Sequence, residues 1–240
     1  MTGKIGLWQQ IREDFAQPLK NDPAINSKVE LFFNYPGVWA IVNYRISNII
    51  YKKGFKRLAR ALMGISQFIT NIDIHPASTI GRRVFLDHAF GVVIGETSII
   101  EDDILIYQGV TLGGVNLNRG QKRHPTVKSG SVIGAGAKVL GDITIGKNSR
   151  IGSNSVVITD VPDNTTAVGI PARVIKKGRN KDPMAHNKIP DINKELFIYL
   201  FKRIHALEKA VISQHEDKIL EEKDRELENI YEQFLKSVKE

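Results

Sequence analysis

Between residues 74 and 157 an aliphatic side chain returns at every sixth position. The series runs Ile74, Ile80, Leu86, then Ile94, Ile100, Ile106, Leu112, then Val127, Ile133, Val139, Ile145, Ile151 and Val157. Glycine follows directly at Gly81, Gly95, Gly113, Gly134, Gly146 and Gly152. An amphipathic helix repeats every 3.6 residues and a half-buried strand every two, so neither accounts for the spacing. A hexapeptide solenoid does: each unit is a short strand and a turn, and three units make one triangular coil of about eighteen residues. The aliphatic residues then fill the prism, and successive coils stack at the ~4.8 Å strand spacing.

The phase slips by two residues between Leu86 and Ile94 and by nine between Leu112 and Val127. The second slip predicts a protruding loop, GGVNLNRGQKRHPT, rich in glycine, asparagine and basic residues. Allowing for both slips, the units that begin at Leu86, Ile106, Ile133 and Ile151 fall on one face. Their third positions form a column, His88, Gln108, Ala135 and Ser153, extending about 14 Å over four coils. Small side chains at its far end leave room for an extended ligand.

The flanks have helical periodicity. Ile5, Trp8, Ile11, Phe15 and Leu19 define one helix over 5–20, and two further stretches over 38–70 break near Lys53-Gly54. Beyond Pro190, Leu196, Leu200, Ile204, Leu207 and Val211, then Leu220, Leu227 and Phe234, predict helices suited to an oligomer seam or a hairpin. The expected organisation is an α-helical domain over 1–70, a parallel β-helix over 71–176 and a C-terminal helical extension over 177–240.

Composition removes several function classes. The 240-residue chain has no cysteine, which excludes disulfides, thiolate metal sites and a cysteine nucleophile. No apolar run reaches the roughly 18 residues of a membrane span. Charged residues in the N-terminal segment leave no signal-peptide pattern, so a cytoplasmic location is expected. Beyond residue 176 the 13 basic and 13 acidic side chains cancel, so the net charge of +8 sits in the first three quarters. No basic stripe with interleaved aromatics suggests nucleic acid, and a small phosphorylated ligand suits the excess better.

Among the polar residues, His88 follows Asp87 in the column, and Asp73 lies fifteen residues earlier, nearly one coil below. A carboxylate holding one ring N–H leaves the other nitrogen free as a base. Arg123 and His124 in the long loop suit a carboxylate ligand, although on spacing alone a solvated basic loop fits equally well. His75, before Pro76, has the look of a turn histidine. No helical His-x-x-x-His or suitably spaced third ligand appears, so no metal is expected. A hexapeptide pattern by itself is compatible with an acyltransferase, a nucleotidyltransferase or a binding scaffold.

The motifs taken together are more specific. DPA at 22–24, YPG at 35–37, YRI at 44–46, DIHP at 73–76, LDHA at 86–89, VIGET at 93–97, GVTLGG at 109–114, RHP at 123–125, IGAGAKVLG at 133–141 and GIPARV at 169–174 occur in that order. From about residue 10 to 176 the chain resembles the serine O-acetyltransferases, hexapeptide-repeat enzymes that acetylate L-serine from acetyl-CoA. The resemblance implies a left-handed winding, with His88 as general base and Asp73 as its dyad partner. It implies that Asp22, Asp87, Arg123 and His124 bind serine. Gly114, Ala135 and Ser153 fall on the coenzyme A groove, Ser153 replacing the usual alanine. A homotrimer or dimer of trimers and feedback inhibition by cysteine are further implications. Such enzymes dock onto cysteine synthase through an isoleucine-ended tail; that partner is implied here too, but with Lys239-Glu240 at the end of the sequence, docking through such a tail is not expected.

Overall fold

The computed structural model describes residues 5–25, 27–117, 120–175 and 192–212. Two compact units divide the chain, Met1–Asn187 and Lys188–Glu240. In the second unit the described segment is one helix, Ile192–Ile212, with Phe197, Leu200, Ile204 and Leu207 along its exposed side. The heptad-like positions beyond Ile212 lie outside the described residues.

In the first unit, four helices precede the solenoid: α1 (Leu7–Asn21), α2 (Lys28–Asn34), α3 (Pro36–Lys52) and α4 (Lys56–Thr70). Thirteen strands of two or three residues follow, from β1 (Asp73–Ile74) to β13 (Val156–Val157), and then β14 (Thr166–Gly169) and β15 (Ala172–Ile175). They form three parallel sheets, the faces of a prism of five levels: β1-β4-β7-β10-β13 (face A), β2-β5-β8-β11 (face B) and β3-β6-β9-β12-β14 (face C). β15 closes face C antiparallel to β14. Each of the thirteen aliphatic residues of the six-residue series is buried, and they form one core that continues into Ile41, Tyr44 and Met63 of the helices. The register pairs Leu86 with Ile106, Ile106 with Ile133 and Ile133 with Ile151, so the column of third positions shares one face.

The helices depart from simple apolar patterning. α2 is a seven-residue helix, too short for a period to show, started by the Ser27 hydroxyl accepting from the Glu30 N–H at 3.1 Å. In α1, Ile11 and Phe15 pack inward, but Trp8 is 79% exposed, and the fully buried members are Asp14 and Pro18. Asp14 is drawn in by Arg45, whose guanidinium grips both carboxylate oxygens at 3.1 Å. The same guanidinium donates to the carbonyls of Ile80 (2.7 Å) and Gly81 (2.6 Å) on the outermost strand of face B. Tyr44 and Asn48 bond that edge too, at Ser78 O (2.6 Å) and Pro76 O (2.8 Å). Polar residues of α3 therefore satisfy the backbone groups that no lower coil is present to meet.

Candidate active site

His88 sits where face C turns into face A. The two-residue slip of the repeat is spent in this turn, which runs over 88–91 while the next coil makes the same corner with Gln108 and Gly109. Both His88 and Ala89 take left-handed backbone angles, φ 55° each. Each such residue costs on the order of 1–2 kcal/mol, and two in succession mark an over-determined segment. The turn is pinned from both sides: Gly91 N–H donates to Asn71 O below and Gly109 N–H to Phe90 O above, each at 2.8 Å. The outcome is an exposed His88 ring above a buried Asp87.

The start of α3 closes against this corner. A Cβ on Gly37 would lie 2.2 Å from the carbonyl oxygen of Leu86, so only glycine permits the approach. Pro36 occupies the first helical turn, and Tyr35 before it donates its hydroxyl to Asp22 Oδ2 at 2.6 Å. Asp22 Oδ1 accepts the Ala24 N–H at 2.8 Å. Asp22, Glu30, Tyr35, Gly37 and His88 thus line one pocket of about 110 Å³. The Tyr35 hydroxyl, the Ala24 amide and the charge of His88 hold Asp22 below the usual carboxylate range. Burial raises Asp87, with His88 opposing and Asp22 adding to the rise. Burial and the Asp22 hydrogen bond push the Tyr35 phenol well up, so it stays a donor. Among the described residues, three acids and no lysine or arginine line or border the pocket, a setting for a cationic group.

Asp73, on β1, lies one coil lower: its N–H donates to Val92 O at 2.9 Å. Among the described residues no hydrogen bond joins its carboxylate to His88.

Arg123 and His124 lie elsewhere, where face A turns into face B and the long loop between β7 and β8 returns. His124 is buried, and Arg123 faces Glu96 at 3.6 Å while donating to Asn116 O at 3.3 Å. Gly95 makes room for the imidazole, since a Cβ there would lie 2.0 Å from Cδ2. Gly114, at the loop's start, borders the same ring. Burial, followed by the charge of Arg123, keeps the pKa of His124 below its ordinary value. A whole face of the prism separates this corner from His88, so one chain does not bring the two histidines together. His75 also lies at this corner; its Nδ1 accepts the Ala77 N–H at 3.1 Å, a turn-histidine arrangement.

The column above His88 is continuous in the backbone: Gly136 N–H donates to Gln108 O and Asn154 N–H to Ala135 O, both at 2.8 Å. Ala135 and Ser153 present small side chains along it. Lys138 on face A bonds Gly109 O beside the column, whereas Arg150 is on face C. Lys176 and Lys177, which with Lys138, Arg150 and Arg173 are expected toward the end of the prism where a coenzyme's phosphates would emerge, lie outside the described residues. Among those described, no three His, Asp or Glu side chains gather as a metal site, and no helix is long and apolar enough to cross a membrane. Tyr35, Gly37, Gly95 and Thr97 had no role assigned from the sequence, although each lies in one of the quoted motifs.

Comparison with known proteins accounts for this arrangement. A family profile described as "Bacterial transferase hexapeptide (six repeats)" matches residues 124–159, and the repeat fits a left-handed parallel β-helix. A serine acetyltransferase of Synechococcus elongatus is 45% identical over 203 residues, 84% of this chain and 83% of its own length. Among solved structures, a serine acetyltransferase in complex with cysteine superposes with a TM-score of 0.68 at 42% identity, covering 71% of this chain and 70% of that one. Another, in complex with CoA, gives 0.65 at 41% identity, covering 70% and 69%. Identity at this level, extending over helices and coils alike, means that the chain belongs to the serine acetyltransferase family.

Proposed function

We propose that His88 is the general base of the family's reaction, in which the acetyl group of acetyl-CoA passes to the hydroxyl of L-serine to give O-acetylserine and CoA. The imidazole takes the hydroxyl proton as the serine oxygen bonds to the thioester carbonyl carbon. The tetrahedral adduct then collapses, the C–S bond breaks, and the imidazolium returns the proton to the departing thiolate. The nucleophile belongs to the substrate, so no acyl-enzyme forms. Asp73 orients the ring and offsets its charge; such bonds are often long without ligand and tighten in the complex. Asp22 and Asp87 receive the serine ammonium, and Arg123 and His124 its carboxylate. The coenzyme arm follows Gly114, Ala135 and Ser153. The related structure with cysteine supports inhibition at the serine site, because cysteine differs from serine only in its thiol.

The separation of the two polar clusters carries the assembly. Adjacent corners of a triangular prism point about 120° apart, so a contact joining the His88 corner of one chain to the Arg123 corner of the next repeats with a threefold rotation and closes. Each site of the homotrimer is then shared, and pairing of trimers through the helices would give the dimer of trimers. Refolding inactive His88→Ala chains together with inactive Arg123→Ala chains tests the assignment. Serine-dependent release of thiol from acetyl-CoA returns if the residues meet across chains; mixed trimers, verified by mass, that stay inactive place them in one chain and overturn it.

A further inference from the structure

We infer that Thr97 is a positioning residue that holds His124 as the neutral tautomer protonated on Nε2, so that the loop offers the substrate carboxylate a fixed donor. The inference rests on the assignment of Arg123 and His124 to that carboxylate.

Thr97 lies in the turn between β4 and β5, 27 positions before His124. Its Oγ1 accepts the backbone N–H of Arg123 at 3.0 Å and of His124 at 3.1 Å. Both lone pairs of the hydroxyl are then in use, and its single hydrogen is left for the third neighbour, His124 Nδ1, at 2.9 Å. The Thr97 N–H reaches the same nitrogen at 3.2 Å. A ring nitrogen met by two donors is an acceptor, so the proton of the neutral ring belongs on Nε2. Protonating the ring would put an N–H against both donors.

The charged and titratable groups around the ring act the same way on balance. Arg123 and Lys122 on the loop oppose a positive ring, and Glu96 on the preceding turn favours one more weakly than burial disfavours it. His75 from the coil below also feels the ring. Nε2 itself faces two glycines: an added Cβ would stand 2.1 Å away at Gly95 and 3.2 Å away at Gly114. The ring fits there only because neither position carries a side chain, and neither glycine competes with a ligand for the Nε2 proton.

The test uses the full-length chain with ¹⁵N-labelled imidazoles, His124 being assigned by its loss in His124→Ala. Without substrate, the His124 signals should show an unprotonated Nδ1, a protonated Nε2 and a titration below the free-imidazole value of about 6.5. In Thr97→Val, which removes the hydroxyl at nearly constant volume, the tautomers should mix and the titration should move up. The KM for serine should rise about tenfold, with kcat changing by less than about threefold. Thr97→Ser should restore the tautomer and the KM. A wild-type ring protonated on Nδ1 overturns the inference without recourse to any variant. So does a Thr97→Val chain that is less heat-stable but has unchanged ring signals, since Thr97 would then be only a clasp for the loop. A ring that responds as stated, in a protein whose serine KM is unmoved by Arg123→Ala, supports the tautomer control and overturns the carboxylate assignment instead.

Discussion

The two polar corners of the prism handle a histidine in opposite ways. His88 is exposed, makes no side-chain hydrogen bond among the described residues, and stands on a backbone pinned in a conformation that non-glycine residues avoid. His124 is buried, slotted between Gly95 and Gly114, with its Nδ1 occupied by Thr97. The difference suits the tasks proposed for the two residues. A group that must take up and return a proton needs a free nitrogen and a charge that can change, so the precision is placed in the backbone. A group that only binds needs one unchanging charge state, so the precision is placed in the packing and hydrogen bonds around the ring.

Removing the free histidine has the largest expected effect. His88→Ala should lower kcat by about 10² to 10⁴, the span of general acid–base catalysis, with the oligomer's mass unchanged; near-normal turnover would remove His88 from the mechanism. Gly95→Ala attacks the other corner. The new methyl displaces the His124 ring, and kcat/KM for serine should fall on the order of 10², as for a catalytic or binding group misplaced by about 1 Å. The KM for acetyl-CoA should stay level, and a rise in it would mean that the corner serves the coenzyme.

Tyr35→Phe should act more mildly, raising the serine KM about tenfold or less by releasing Asp22. It also has a pH signature. Tyr35 lowers the pKa of Asp22, and ammonium binding requires the carboxylate, so its loss moves the protonation of Asp22 to higher pH. On acidification the KM of the variant should start climbing before that of the wild type. Coincident profiles would show that Asp22 is not the ammonium partner. The smallest effect is expected at Ser153→Ala, less than about twofold on the KM for acetyl-CoA, because one exposed hydroxyl is exchanged for hydrogen.

The six-residue spacing made the prism legible because one periodic demand, an aliphatic side chain pointing inward, recurs thirteen times. The phase slip before Ile94 located the turn of His88, but not its left-handed angles, which depend on Asn71 and Gly109 pinning it from adjacent coils. Tyr35–Asp22 and Thr97–His124 stayed invisible for a related reason: each joins residues 13 or 27 positions apart on different elements, where no period operates. In α1 the apolar spacing marked the helix but not its buried members: Asp14, paired with Arg45, is buried, while Trp8 and Leu19 are exposed. The motifs DPA, YPG and VIGET contain the unseen partners, so the signal was present as composition without geometry.

The way α3 meets the first coil also bears on how the molecule behaves in a crowd. A stack of parallel strands has no inherent length, and an exposed terminal rung is a template on which a second prism could continue the stack end to end, as fibrils grow. Tyr44, Arg45 and Asn48 occupy the acceptors of that rung with side chains that offer no strand in return. On face B they therefore cap the first rung as well as attach the helix, so a second prism finds those acceptors already taken by a tyrosine, an arginine and an asparagine.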